Sequence, residues 1–382
     1  MAALVVAFGH GRGLFLPSFT GAPAAAQTAA QAHAEPILAP LTIGHQAVMV
    51  FFVLSGYLVG GSVLKSFAAD RWRWSDYLVK RIVRLWVVLV PALIVGALID
   101  AIGFHFLAQA GGIYSAPAGQ DYVTPDQIKR GFDIWNVFGN MLFLQGVSIP
   151  TAGTNIALWS LANEFWYYLM FPTILLIVRR DTPFAGRIAC ALAVAAIVAL
   201  IGADATYLFL VWTLGAMVAL MPRKIPSRWA GLVVLLASLL FVGVFLKLKS
   251  FGLPIYGSEM ALGVLTASLI YAIKCQDRAG DVSGYSRASR FFSDISYTLY
   301  VTHVPFLIFV CAIVNAPWTR RPASPATVAQ FAAVMALAIV WAWILYLLFE
   351  SRTDRARRLA RSGLSKLAGV SARLSASQRG LE

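Results

Sequence analysis

Cysteine and charged residues are both scarce in this chain, and each scarcity excludes a class of protein. Its three cysteines, Cys190, Cys275 and Cys311, are far apart and form no CxxC or Cys/His spacing, so we expect neither a structural disulfide nor a metal site. Charged residues make up 13% of the chain and hydrophobic residues 59%, whereas about a quarter of a soluble domain is charged. The composition therefore excludes an ordinary soluble protein.

Long apolar runs recur along the whole chain, and the mean hydropathy is +0.73. A helix of about 20 apolar residues crosses the hydrocarbon core, because its backbone hydrogen bonds are all made internally. The sequence therefore predicts an all-α, polytopic membrane helix bundle with about ten spans. We predict the spans near 1–16, 44–66, 82–104, 157–178, 186–203, 205–221, 229–247, 255–273, 291–314 and 327–349.

The distribution of basic residues predicts the orientation of these spans. With the N-terminus in the cytoplasm, 24 of the 31 Lys and Arg fall on the inner side and 6 on the outer side, as the positive-inside rule requires. Both termini are then cytoplasmic. The net charge of +14 is thereby explained without nucleic acid. We expect residues 1–350 to form one membrane domain, and 351–382 to be a disordered basic tail that contacts anionic lipids.

The first predicted span is short. From Met1 to Leu16 a helix reaches only about 24 Å, which is less than the roughly 30 Å of the hydrocarbon core. A cleaved signal peptide would carry a basic n-region, and none is present here. We therefore expect that the first span is incomplete in this sequence.

Two stretches place ionisable residues within or at the end of apolar spans, where charge is costly and marks candidate functional sites. His10 lies between two glycines in the first span; it is either a general base or a histidine that hydrogen-bonds to a neighbouring helix. Arg81 and Arg84 share one face at the start of the third span. They either anchor the helix in the interface or bind the phosphates of an anionic cytosolic ligand.

Polar stripes mark two further spans. Glu164 has Ser160 four residues before it and Tyr168 four residues after it, so the carboxylate either pairs with a cation or stays protonated. Tyr300 and His303 similarly fall on one face of a later span. We expect both stripes to point into the bundle.

A notch of small residues interrupts the second span. Ser55, Gly56 and Tyr57 lie in its middle, and a glycine there permits close approach of another group. That group is either the slender arm of a ligand or the backbone of a neighbouring helix.

These stretches resemble the membrane-bound acyltransferase 3 family, whose bacterial members transfer acyl groups from acyl-CoA to sugars of surface or secreted glycans. The resemblance extends along the whole chain, in order. The matching stretches are ALVVAFGH, FFVLSGYLVG, KRIVRLWVVLVPA, NMLFLQG, LWSLANEFWYYLMFP, SYTLYVTHVPF and LYLLFE. Two departures stand out: the family's arginine eleven positions before the histidine would precede Met1, and Asn163 stands where many members carry a second acidic residue.

The resemblance implies a role for each candidate residue. His10 matches the catalytic base and Glu164 the acidic residue of the family. Arg81 and Arg84 match an Arg-x-x-Arg motif that holds the CoA phosphates, and the notch matches residues that line the acyl-donor channel. We expect the acceptor to contact Tyr168, Tyr300 and His303, although Glu164, His303 or Tyr300 could instead orient His10.

The resemblance also implies an acyltransferase, most simply an O-acetyltransferase, of the bacterial cytoplasmic membrane. Acyl-CoA is its donor substrate, no cofactor is permanently bound, and the acceptor is a carbohydrate. Direct transfer and a covalent acyl-histidine relay both stay open, and so does a homo-oligomer. The alternative functions are a transporter or flippase of a lipid-linked sugar, which no internal repeat supports, and a non-catalytic scaffold of a polysaccharide assembly complex.

Overall fold

The computed structural model describes eight parts of the chain. They are residues 2–16, 44–108, 113–115, 133–247, 252–276, 285–315, 318–322 and 324–363. These residues form no β-strand and are mostly helical. The all-α fold class predicted from the sequence is confirmed.

Twelve α-helices follow one another along the described residues. In chain order they are α1 (Ala2–Phe15), α2 (Gly44–Ser55), α3 (Gly61–Ala68), α4 (Trp74–Phe106), α5 (Ile134–Met141), α6 (Leu158–Val178), α7 (Phe184–Leu220), α8 (Ser227–Lys247), α9 (Ile255–Cys275), α10 (Tyr285–Asp294), α11 (Ser296–Val314) and α12 (Pro325–Leu348). A π-helical turn, Gly56–Gly60, joins α2 to α3. Short 3₁₀ turns lie at Ile113–Ser115 and Glu350–Arg352.

Eight helical segments among the described residues are long and apolar enough to cross a membrane. One of them, α7, consists of two helices joined at Gly202, whose φ of 80° is non-helical. This position favours glycine because other residues avoid positive φ. When these two helices are counted separately and the shorter α1 is added, the described segments are the ten that the sequence predicts. The cytoplasmic placement of both termini stays a prediction.

Several helix ends follow from local sequence. Pro183 and Pro254 directly precede α7 and α9, where their fixed φ and missing N–H cost nothing. Ser324 caps α12, because its side chain accepts a hydrogen bond of 3.1 Å from the Thr327 N–H. This bond satisfies one of the donors that every helix start leaves unpaired.

The helices surround a core that α1 and α11 help to build. Helix α1 packs against α2, α11 and α12, while α2 and the π turn pack against α7. Helix α8 lies at the periphery and leaves most of its leucines exposed. An exposed face of this kind suits contact with lipid chains, which are as apolar as leucine.

The small-residue notch is filled by helix α7. A Cβ atom added at Gly56 would collide with the main-chain carbonyl of Trp212, and one added at Gly215 would collide with that of Val53. The two backbones therefore touch here, as helices do in membranes where small residues face each other. Of the two interpretations that the sequence leaves open, the structure supports helix packing at Gly56, rather than a channel for a ligand.

The C-terminal region differs in part from the expected disordered tail. Residues 353–363 are helical and continue from the 3₁₀ turn that follows α12, because their arginines and leucines are good helix formers. The remainder of the predicted tail, 364–382, lies outside the described residues.

Candidate active site

Two histidines from distant parts of the chain meet inside the bundle. His10 lies on α1 and His303 on α11, and His10 Nδ1 is 2.8 Å from His303 Nε2. Their rings are nearly parallel, with centroids 5.1 Å apart. His303 is completely buried, whereas His10 is half-buried. Of the three residues that the resemblance offers as partners of His10, the structure places His303 against it.

The second nitrogen of His303 determines the direction of this hydrogen bond. His303 Nδ1 is 3.0 Å from the Leu299 carbonyl oxygen and 2.9 Å from that of Tyr300. Carbonyl oxygens only accept, so Nδ1 carries a proton, and Nε2 of a neutral His303 is an acceptor. His10 then donates from Nδ1, which leaves the lone pair on its Nε2. This is the tautomer that a general base needs.

Glu164 lies at the centre of a second polar group. Its Oε1 accepts a hydrogen bond of 2.7 Å from Ser55 Oγ and a short one from the Tyr168 hydroxyl. Trp212 Nε1 donates to Ser55 Oγ over 3.1 Å. The charges of Arg81 and Arg84 also act on this carboxylate. Hydroxyl donors and nearby cations together make the buried carboxylate tolerable.

The two groups are connected through Ser160 and Tyr300. Ser160 lies one helical turn before Glu164, and its hydroxyl makes a short hydrogen bond with the Tyr300 hydroxyl. Tyr300 in turn accepts from His303 Nδ1 through its carbonyl. The bundle interior therefore contains a series of polar side chains, in which Ser160 is joined to Glu164 through the α6 backbone rather than through a hydrogen bond. We call it the polar track, and it consists of Arg81, Tyr168, Glu164, Ser55, Ser160, Tyr300, His303 and His10.

One end of the polar track opens into a strongly basic cavity of about 600 Å³. Arg81 lines this cavity, and its guanidinium lies 5.6 Å from the Tyr168 ring centroid. Arg81 Nη2 donates to Ser62 Oγ over 3.2 Å, and its buried Nε has no hydrogen-bond partner among the described residues. The charged side chains that line the cavity are Lys65, Arg71, Arg73, Asp76, Lys80, Arg81 and Arg361.

Some predicted site residues are not brought to this track. Tyr57 packs with apolar side chains of the α7–α9 region, including Val211 and Ile270. Arg84 is exposed and does not line the basic cavity, although its charge acts on Glu164 and Glu350. The geometry therefore separates the two arginines of the motif. Arg81 lines the cavity, whereas Arg84 does not.

The sequence does not predict Lys65, Arg71, Arg73 or Arg361 as site residues, and Arg361 is the one farthest from Arg81 in the chain. It belongs to the 353–363 helix, and its Nη2 lies 3.8 Å from Asp76 Oδ1 of α4. The spacing of Arg357 and Arg361 indicates one helix face. Nothing in the sequence, however, shows where that helix lies. Among the described residues, no three His, Cys, Asp or Glu side chains cluster as metal ligands would.

Comparison with known proteins defines the class of this bundle. The sequence model of the acyltransferase 3 family, described as an acyltransferase domain, matches residues 1–347. The chain belongs to this family, and its long apolar helices are those of a multi-pass membrane protein. The resemblance on which the sequence interpretation rests is thereby confirmed.

Comparison with individual proteins adds little. An uncharacterized protein of Haemophilus influenzae is 30% identical over 137 residues, which are 34% of this chain and 49% of that protein. The chain thus matches about half the length of that relative. No solved structure matches the chain.

Proposed function

We propose that this protein transfers an acyl group, most simply acetyl, from cytosolic acyl-CoA to a hydroxyl group of a carbohydrate at the bacterial cytoplasmic membrane. The observation that carries the proposal is the polar track, because it links a basic cavity to a histidine in the tautomer of a general base. A cavity for a phosphate-rich donor and a base that activates a hydroxyl are the two parts that such a reaction needs.

The basic cavity suits the nucleotide part of acyl-CoA. Its lining carries six cations and one carboxylate, and guanidinium groups bind phosphates with two parallel hydrogen bonds. Among the described residues nothing accepts a hydrogen bond from the buried Nε of Arg81, and a bound phosphate oxygen would supply that acceptor. In the predicted orientation this cavity faces the cytoplasm, where acyl-CoA is found.

The proposed chemistry takes place at His10 Nε2. The acceptor hydroxyl gives its proton to Nε2 as its oxygen attacks the thioester carbonyl carbon. The carbon–sulfur bond then breaks, and the CoA thiolate takes the proton from the imidazolium. General-base help of this kind contributes about 10²–10⁴ in rate. His303 holds the His10 ring through its Nε2, so its role is to position His10 rather than to bind the substrate.

The experiment follows radiolabel from acetyl-CoA to membrane glycan in vesicles that contain the wild-type protein or His10→Ala. We expect label on the glycan with wild type, and a loss of at least about 100-fold in the variant with acetyl-CoA binding retained. His105→Gln is the matched control, since His105 is exposed at the end of α4. If the wild-type protein were folded but transferred label from none of the acyl-CoA donors tested, the proposal would be wrong and a transporter would be favoured.

A further inference from the structure

A second cavity, of about 510 Å³, lies on another side of helix α6. We call it the acidic cavity and define it by its polar and aromatic lining residues, His45, Trp159, Asn163, Asp204, Tyr256 and Glu259. None of its lining residues is Lys or Arg. Its charge is therefore opposite to that of the basic cavity.

The acidic cavity combines flat apolar surface with hydrogen-bonding groups. The Trp159 ring stacks on His45 with centroids 5.9 Å apart, and His45 Nε2 lies 2.7 Å from Glu259 Oε1. In the same cavity the Tyr256 hydroxyl donates to Asp204. A sugar ring offers an apolar C–H face and a rim of hydroxyls, which such aromatic surfaces and polar groups complement.

One polar group in this wall lacks a protein partner. The Asn163 side chain is more than nine-tenths buried and lines the cavity. None of the described residues hydrogen-bonds its amide. Its amide can both donate and accept hydrogen bonds, so at the cavity wall it is a site for a ligand's hydroxyl or amide groups. Asn163 is also the residue that replaces the second acidic residue expected from the family.

Helix α6 forms a wall of both the acidic cavity and the polar track. Trp159 and Asn163 lie four residues apart on one face, and Ser160 and Glu164 on the adjacent face. The N-terminal end of α2 adds a second connection, because a Cβ on Gly44 would lie 3.8 Å from the Cα of Val6. Val6 precedes His10 by one helical turn. The lining residue His45 therefore follows a residue that packs against α1, the helix that carries His10.

From these observations we infer that the acidic cavity binds a neutral or amino-bearing sugar unit of the acceptor, next to the unit that is acylated. The inference rests on the proposed function, and it also specifies the substrate class. The carboxylates of Asp204 and Glu259, with no Lys or Arg among the lining residues, disfavour uronic acids, phosphorylated sugars and anionic lipid headgroups.

The test measures sugar binding directly, with the full chain in phosphatidylcholine nanodiscs. The probes are three tetrasaccharides, made of N-acetylglucosamine, glucosamine or galacturonate. We expect saturable binding of the neutral or the amino tetramer and at least about tenfold weaker binding of the galacturonate tetramer. The inference would be refuted if neither the N-acetylglucosamine nor the glucosamine tetramer bound. It would also be refuted if the galacturonate tetramer bound more tightly than these two.

Two variants localise the binding. We expect Asn163→Leu and Asp204→Asn each to weaken sugar binding by about tenfold. The first removes a hydrogen-bonding amide, and the second removes the charge of a hydrogen-bonding carboxylate. Asp181→Asn is the control, since Asp181 is equally exposed but pairs with Arg179 away from this cavity. Unchanged affinity in both cavity variants would place the sugar elsewhere.

Acyl transfer is measured on the same samples to separate the two proposals. Sugar binding that depends on Asn163, but without any acyl transfer, would overturn the proposed function and leave the cavity assignment intact. Acyl transfer that neither cavity variant affects, together with unchanged sugar binding in both variants, would refute the cavity assignment and leave the proposed function intact.

Discussion

At the scale of single residues, the hydrogen bonds of His303 and Glu164 distinguish two roles that look alike in sequence. His303 contacts His10 and two main-chain carbonyls, so all its polar atoms are used within the protein. Glu164 contacts Ser55 and Tyr168 instead of the histidines. The sequence identifies both as buried polar residues, but only the fold shows which of them reaches His10.

Changing Glu164 separates the need for its charge from the need for its hydrogen bonds. Glu164→Leu leaves the Ser55 and Tyr168 hydroxyls without an acceptor, so we expect a loss of about 1–3 kcal/mol in the free energy of unfolding. Glu164→Gln keeps an acceptor oxygen and removes only the charge, and we expect it to unfold near the wild-type temperature. Thermal unfolding in detergent measures the stability of both variants. If Glu164→Leu melted at the same temperature as wild type, the role of Glu164 as a hydrogen-bond acceptor in stability would be contradicted.

At the scale of secondary structure, the contact between α2 and α7 is decided by glycine. The sequence predicts the interruption of the second span, because small and polar residues break its apolar run. It does not reveal that the interruption is a π-helical turn, Gly56–Gly60, packed on Trp212. Residues distant in the chain create that contact, and a local pattern carries no information about them. Periodicity and length therefore predict the helices, whereas the partner of each face comes only from the fold.

Gly56→Ala tests this contact. We expect it to destabilise the bundle by at least about 2 kcal/mol, because the added methyl group would displace a packed backbone. Gly243→Ala on α8 is the matched control. An added Cβ there has no neighbour within 4 Å, so its unfolding temperature is expected to equal or exceed that of wild type. A Gly56→Ala protein as stable as this control would refute the packing role.

At the scale of the whole molecule, charge divides the interior into two cavities of opposite sign. The basic cavity gathers cations from α3, α4 and the helix at 353–363, and the acidic cavity gathers carboxylates from α7 and α9. The sequence predicts the basic side through its Lys and Arg distribution. Arg361 was not predicted as part of this site, because the tail was expected to be disordered.

Arg361→Gln tests whether the C-terminal helix takes part in donor binding. Its guanidinium is about half exposed, so we expect a modest increase of about two- to fivefold in the KM for acetyl-CoA, with kcat unchanged. The increase is expected to shrink at high salt, which screens exposed charges. Arg358→Gln on the same helix is the control, since Arg358 does not line the cavity. Equal KM values for the two variants would exclude this role.

The most direct test of the account is a double-mutant cycle at the histidine pair. The initial rate of label transfer from acetyl-CoA to glycan is measured for wild type, His10→Ala, His303→Phe and the double variant. Because His303 acts only by holding His10, we predict that adding His303→Phe to His10→Ala lowers the rate no further. His303→Phe alone should lose about 10²-fold or more, with an unchanged KM for acetyl-CoA. If the two losses multiplied, or if His303→Phe retained full activity, the histidine pair would not be the catalytic unit.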